Sequence, residues 1–359
     1  MRKLSICIFL FLFALFNASA QHAPKYSNEF LSIGVGARAL GMSNSNVAIV
    51  DDATAGFWNP AGLLKIKSNL QIGLMHASYF ANIAKYDYGS VASKIDSTSS
   101  FAVSVIRFGI DDIPNTIEMV DANGNINYDN ITTFSDASYA FIFSYAKKTN
   151  IKGLSIGANA KIIHRKTGSF AAAWGFGLDA AAQFQKNNWY FGIMGKDITS
   201  TFNAWRFTLD DATKAVFQQT GNEIPKNSLE ITLPKLIFSA AHNFEISNSF
   251  STIVDLDFDM TFDKMRNVFI KSDPISIDPH LGLEIAFKKV IFIRGGIGNI
   301  QKETDMNNKK ITTFQPNIGI GICIKNRVCI DYALTDIGDN SIALYSNIFS
   351  LKINFSKSK

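Results

Sequence analysis

The strongest constraint on this chain is a succession of long segments in which apolar and polar residues alternate. Leu154, Ile156, Ala158, Ala160 and Ile162 share one face, opposite Ser155, Gly157, Asn159 and Lys161. Tyr139, Phe141, Phe143 and Tyr145 oppose Ser138, Ala140 and Ser144, and Phe349, Leu351, Ile353 and Phe355 oppose Ser350, Lys352 and Asn354. Side chains on a strand point alternately to its two faces, so each segment has one greasy and one polar side. Fourteen such segments follow one another: 68–80, 84–95, 99–110, 136–148, 152–165, 173–185, 189–200, 235–245, 249–262, 277–288, 290–299, 313–325, 327–336 and 346–355. Most are 10 to 14 residues long. Soluble strands run to about 5–6 residues, whereas a tilted strand crossing a bilayer needs about 9–11.

The connections alternate as well. Those at 96–98, 149–151, 186–188, 246–248 and Asn326 are very short, while 111–135, 201–234, 263–276, 300–312 and 337–345 are long and polar. Short turns at one end and long loops at the other describe an outer-membrane barrel with its short turns in the periplasm. A soluble sandwich or propeller predicts shorter strands and no such alternation. The expectation is an all-β chain: a 14-stranded antiparallel transmembrane β-barrel over residues 68–359, surrounded by outer-membrane lipid.

The first residues agree with export. Arg2 and Lys3 precede an apolar run from Leu4 to Phe16, and Ala18-Ser19-Ala20 ends it. This reads as a signal peptide, 1–20, cut after Ala20; the run is shorter than the roughly 20 residues a spanning helix needs. Without Arg2 and Lys3, the 35 basic residues fall to 33 against 30 acidic ones, too even a balance to suggest nucleic acid as a partner. The 30 phenylalanines of an exported chain with no spanning helix need a greasy exterior.

Candidate chemistry is sparse. Asp255, Asp257 and Asp259 form a ladder with carboxylates about 6.8 Å apart on the lumen side. It reads either as a cation or constriction site, or as part of a salt-bridged lumen with Lys161 or Arg294 as partners. Asp121, Asn123 and Asn125 imitate half a calcium loop, but Ile126 and Thr132 stand where Gly and Glu are required. Asn123-Gly124 reads better as a hairpin tip. His22, His76, His164, His242 and His280 are scattered, with no zinc spacing. No nucleophile-elbow, phosphate-loop or dinucleotide motif occurs. An enzyme is not expected, nor a cofactor or metal. Cys323 and Cys329 lie equidistant from Asn326 on the polar face, either bridged across a hairpin or both free. "LDDATKAVFQQTG" reads as a short helix closed by Gly221, with Leu209, Ala212, Val216 and Phe217 on one side.

Residues 28–64, "NEFLSIGVGARALGMSNSNVAIVDDATAGFWNPAGLL", resemble the N-terminal signature of the PorV/PorQ family, within the broader FadL-like outer-membrane barrels. The features that match are Phe30-Leu31, Gly36-Ala37-Arg38, Gly41-Met42, Asp51-Asp52, Ala53 and Asn59-Pro60-Ala61, while Ser43-Asn44 stands where a further glycine is common. The resemblance implies that residues 21–67 fold back into the lumen as a hatch, with Arg38, Gly41, Met42, Asp51, Asp52, Asn59 and Pro60 as its marker residues. It implies a role in type IX protein secretion through contacts with translocon subunits or the C-terminal domains of cargo. The alternative it carries is a FadL-like channel for long-chain fatty acids or other hydrophobic small molecules. Within that frame "GFWNPAGLL" reads as the hinge between plug and wall: Pro60 removes a donor, Asn59 caps the next turn, and Phe57 and Trp58 pack inward.

Overall fold

The computed structural model describes residues 27–120, 124–304, 308–337 and 345–356. The expected signal peptide, His22, Asp121 and Asn123 lie outside the described residues. Among the described residues sixteen strands follow in chain order. The first eight are β1 (Leu70–Tyr79), β2 (Ala84–Lys94), β3 (Ser99–Asn115), β4 (Thr132–Lys148), β5 (Leu154–Thr167), β6 (Ala171–Lys186), β7 (Trp189–Lys196) and β8 (Thr201–Phe207). Then come β9 (Ser228–Thr232), β10 (Lys235–Glu245), β11 (Phe250–Thr261), β12 (Ser276–Phe287), β13 (Ile291–Thr304), β14 (Lys310–Ile324), β15 (Val328–Thr335) and β16 (Ser346–Phe355).

Every neighbouring pair is antiparallel, and the ring closes where β1 meets β16, from Leu70 opposite Phe355 to Ser78 opposite Asn347. Fourteen strands make the wall, as the alternation predicts, because β7–β8 and β9–β10 are two wall strands broken once each. The lower half of β6 pairs with β7 and its upper half with β8. Likewise β10 pairs with β7, and β9 with β8. The expected loop 201–234 is therefore partly wall. The alternation of "TFNAWRF" and "SLEIT" was hidden by the interruptions beside them: Asp197 and Ser200 take left-handed φ of 55° and 57°, and Pro234 brings no donor. The strands β3 and β4 also outrun expectation, because a bulge between Ile110 and Ile113 resets the alternation. The helix anticipated in that loop is α3 (Asp211–Gln219), capped by Asp210 and followed by Gly221 at φ 70°. Val120 pairs with Ile126, and the hairpin tip expected at Asn123-Gly124 lies partly outside the described residues.

All the turns at one end, from 95–98 to 325–327, are short; the long connections lie at the other. Cys323 and Cys329 face each other across one of these turns and are bridged. Burial is inside out. Phe143, Ile156 and Phe238 are between 40 and 50% exposed, while Lys161, Asp255, Asp257 and Arg294 are buried. That is the signature of a wall with lipid outside and a polar interior. Among the described residues no helix is long and apolar enough to cross a membrane; the strands do so.

Candidate functional site

Residues 27–67 fill the interior that the ring encloses. They include two short helices, α1 (Ala37–Gly41) and α2 (Ala55–Trp58), and a 3-10 turn over Pro60–Lys65. Their apolar side chains, among them Val35, Leu40, Phe57 and Trp58, form one cluster with the inward Met75, Tyr86, Ile106 and Ile142 of β1 to β4. Burial of this apolar surface is the main attraction holding the segment in place.

The "GFWNPAGLL" stretch sits at the centre of the contact. Asn59 is extended (φ −164°) ahead of Pro60, and its Oδ1 accepts the Ala61 N–H at 3.1 Å, as the sequence predicts. Its Nδ2 donates to Val47 O and to Ala182 O on β6, both at 3.1 Å. Asn159 on β5 donates to Gly56 O at 2.9 Å, and Trp58 Nε1 to Val35 O at 2.8 Å. The expected hinge is thus pinned to the wall on two strands.

Inward-facing glycines let the backbones meet. A Cβ at Gly157 on β5 would stand 2.5 Å from Ala61 N and 2.7 Å from Pro60 C. One at Gly192 on β7 would stand 2.7 Å from Val47 O, and one at Gly282 on β12 2.9 Å from Met42. Gly41 itself lies against Gly319 of β14. Ser43 and Asn44 adopt φ of 53° and 68°, the left-handed region a glycine enters without cost, and Ser43 Oγ accepts from Asn317 at 2.8 Å.

A charged network ties the other flank. Arg38 clamps Glu284 of β12 through Nε and Nη2, both at 2.9 Å, and reaches Asp51 at 2.8 Å. Glu284 also takes Arg294 Nε at 2.6 Å, and Arg294 continues to Asp331 at 2.6 Å. Burial alone would lower the pKa of Arg38, but Glu284 and Asp51 raise it well above the usual arginine value. Asp52 meets Lys352 at 3.3 Å and accepts from the Thr54 N–H and hydroxyl. Burial pushes Asp52 up, yet Lys352 and Thr54 outweigh it and leave the carboxyl below the aspartate range.

The Asp255–Asp257–Asp259 ladder does face inward, but not toward the partners the sequence suggested. Lys161 binds Asp179 (2.8 Å) and Asp197 (2.5 Å) at the break in the wall, and Arg294 binds Glu284 and Asp331. Those acids lie closer to Lys161 because β5 pairs with β6, and β6 with β7, whereas β11 stands further round the ring. Of the ladder, Asp257 holds the inserted segment, while Asp255 and Asp259 pair with the neighbouring wall strand β10. Asp257 accepts the Asn46 and Val47 N–H groups at 3.2 Å, Asp255 accepts Ser239 Oγ at 3.0 Å, and Asp259 pairs with Lys235. Among the described residues no group of three or more His, Cys, Asp or Glu is arranged to hold a metal ion.

Sequence reasoning missed Glu284, Asp331, the seating role of Lys352 and the wall glycines, and it named Arg294 as a lumen charge but matched it with the wrong acids. The signal for them was present: each is a charge or a glycine at an inward position of an otherwise regular strand.

A family model described as "Type IX secretion system protein PorV" matches residues 17–227. The chain belongs to the PorV family. No curated protein matches it. Among solved structures, the Pseudomonas putida toluene transporter TodX is similar at 12% identity and TM-score 0.58, over 90% of this chain and 99% of that one. The Ralstonia pickettii toluene transporter TbuX (12%, TM-score 0.53) and a Pseudomonas aeruginosa FadL homologue (11%, TM-score 0.51) each align over 90% of this chain and 98% of theirs. At such identities the likeness shows the fold. The PorV family and the FadL-like fold together imply an outer-membrane location.

Proposed function

We propose that this PorV-family barrel works in type IX secretion by binding translocon subunits, the C-terminal domains of cargo, or both, and conducts no small molecule. On this reading residues 21–67 are a hatch that keeps the lumen shut, with Arg38, Gly41, Met42, Asp51, Asp52, Asn59 and Pro60 as its fastenings. The observation that carries it is the filled lumen. The cavity beside Phe57, Trp58 and Lys196 measures about 90 Å³, and the one between Arg38, Asp52 and Lys352 about 30 Å³. A benzene-sized guest occupies a cavity of roughly 150 Å³. Purification of the tagged protein from its native outer membrane tests the proposal. Co-purification of translocon subunits or cargo is the expected result, and recovery of neither refutes it.

A second reading, passage of hydrophobic molecules, has one observation in its favour. A groove of about 520 Å³ at the long-loop end is lined by Ile117, Phe134, Phe170, Trp205, Leu209 and Phe217. Uptake of labelled toluene or fatty acid into proteoliposomes at no more than the protein-free rate excludes it.

A further inference from the structure

The two ends of the barrel carry their charges differently. At the long-loop end opposite signs stand together, as in the Lys214–Asp211 and Arg266–Asp263 pairs. At the short-turn end they do not. Residue 67 and the turns with their flanking residues, 94–98, 147–153, 186–188, 245–249, 288–290 and 325–327, hold ten basic residues and two acidic ones, Asp96 and Glu245. This is the concentration of one sign in a chain whose 35 basic residues nearly balance 30 acidic ones. All ten basic residues are exposed, and among the described residues none of them enters an ion pair. Asp96 is occupied within its own turn, where it accepts from Thr98 and Ser99.

Six of these charges form a continuous arc. Lys94 Nζ donates to Lys67 O at 2.9 Å, Lys148 Nζ to Ser97 O at 2.7 Å, and the Gln185 N–H to Gly153 O at 2.9 Å. These contacts set the approach to β1 and the turns 95–98, 149–153 and 187–188 side by side. Lys67, Lys94, Lys147, Lys148, Lys152 and Lys186 therefore line one stretch of rim under β1 to β7. Their mutual repulsion is relieved by anions brought from outside the chain.

Position and composition select the anion. Trp189, Phe250, Phe287 and Phe355 stand at the short-turn ends of their strands and mark the lower interface, as aromatic girdles do. Lys147 ends the outward row of Phe143 and Tyr145, and Lys186 that of Phe176 and Phe184, so both leave the apolar band at girdle level. Lys288 Nζ lies 5.4 Å from the centre of the Phe287 ring. The turns also expose Ile95, Ile151 and Ile246. Lysines interleaved with apolar side chains at this level are the make-up of a membrane-surface anchor. Protein interfaces are depleted of lysine and enriched in arginine, whereas nine of the ten basic residues here are lysines. A lysine acts as a point charge and takes a phosphate without demanding a fixed geometry.

We propose that the periplasmic rim, through the lysine arc under β1 to β7, binds the phosphate groups of anionic phospholipids in the inner leaflet of the outer membrane and gathers these lipids around the barrel. The proposal stands or falls independently of the secretion reading.

Native mass spectrometry tests it on the full-length protein, released from micelles that contain equimolar phosphatidylglycerol and phosphatidylethanolamine with the same acyl chains. A lysine beside an anionic surface favours it by roughly fivefold, so phosphatidylglycerol is expected to be retained at least about fivefold over phosphatidylethanolamine. In a Lys147→Gln, Lys148→Gln, Lys152→Gln, Lys186→Gln variant whose heat-modifiable mobility shows a folded barrel, that preference is expected to fall below about twofold. Arginine at the same four positions is expected to keep it. If the glutamine variant does not fold, the pair Lys147→Gln, Lys186→Gln replaces it, with a loss of at least about twofold expected. Lys166→Gln, Lys214→Gln, Lys226→Gln, Lys310→Gln removes as many charges from the long-loop end and is expected to leave the preference intact. Equal retention of the two lipids by the unaltered protein, a preference indifferent to the arc substitutions, or an equal loss in the long-loop variant overturns the proposal. If the lipids are retained equally and the arc variant instead loses a periplasmic protein on affinity purification from the native membrane, the arc is a protein-docking surface and the lipid proposal fails.

Discussion

Replacing Gly157 by alanine measures how tightly the inserted segment is seated. The added Cβ would begin 2.5 Å from Ala61 N, and ordinary van der Waals contact starts at 3.4 Å, so the Pro60–Ala61 backbone must retreat by about 0.9 Å. That backbone cannot swing aside as a side chain does, because Asn59 holds it to Ala182 and Val47. Overpacking of this kind costs about 1–3 kcal/mol, roughly a 5- to 150-fold change in an equilibrium at about 1.4 kcal/mol per factor of ten. The segment's unseated population should rise by that factor. Limited proteolysis of the folded barrel within residues 27–67 reads it directly, as a roughly 5- to 150-fold faster first cut where opening precedes cleavage. Gly295→Ala is the control: it adds the same methyl to a strand glycine whose nearest atom, Asn317 O, is 4.0 Å away. Equal cleavage rates for the two variants would refute the contact and the sealed lumen built on it.

Three further outcomes follow from the same contacts. Asn59→Ala leaves the buried Ala61 N–H without its acceptor and takes one donor each from the Val47 and Ala182 carbonyls, and should cost about 1–3 kcal/mol, seen as accelerated cleavage of the segment with the barrel still heat-modifiable. Arg38→Met leaves Glu284 with Arg294 alone, and breaking such a buried pair costs about 3–5 kcal/mol; adding Glu284→Gln should return part of the loss in a double-mutant cycle. Asp52 is depressed in the folded protein, so its contribution is full above the unfolded value of about 3.9 and is lost as pH falls through the lower folded value. Cleavage should therefore stay flat from neutral pH down to about pH 5 and rise below about pH 4, while Asp52→Asn flattens the curve.

The wall was legible because its code is local: a residue's face depends only on its neighbours two positions away. Legibility failed where that code was interrupted, at Asp197–Ser200, at Pro234 and at the bulge after Ile110, so β8, β9 and the long-loop ends of β3 and β4 read as loop. The site was legible only on one side. The marker residues Arg38, Asp52 and Asn59 stand out as a cluster, but their partners Glu284, Lys352 and Ala182 are 246, 300 and 123 positions away. Alternation does not say which inward residues share a height on opposite walls, and Lys161 was accordingly matched with the wrong acids.

The distance of those partners along the chain bears on how the molecule is put together. The segment 27–67 emerges before any strand, whereas Glu284, Arg294, Asp331 and Lys352 arrive among the last, and the ring is completed only when β16 finds β1. A wall that closed empty would then have to thread this chain through its mouth and seat it against glycines that leave no slack. Late strands that wrap around an early-placed segment avoid that passage, and on the reading proposed above the hatch would also be the former on which the cylinder is closed.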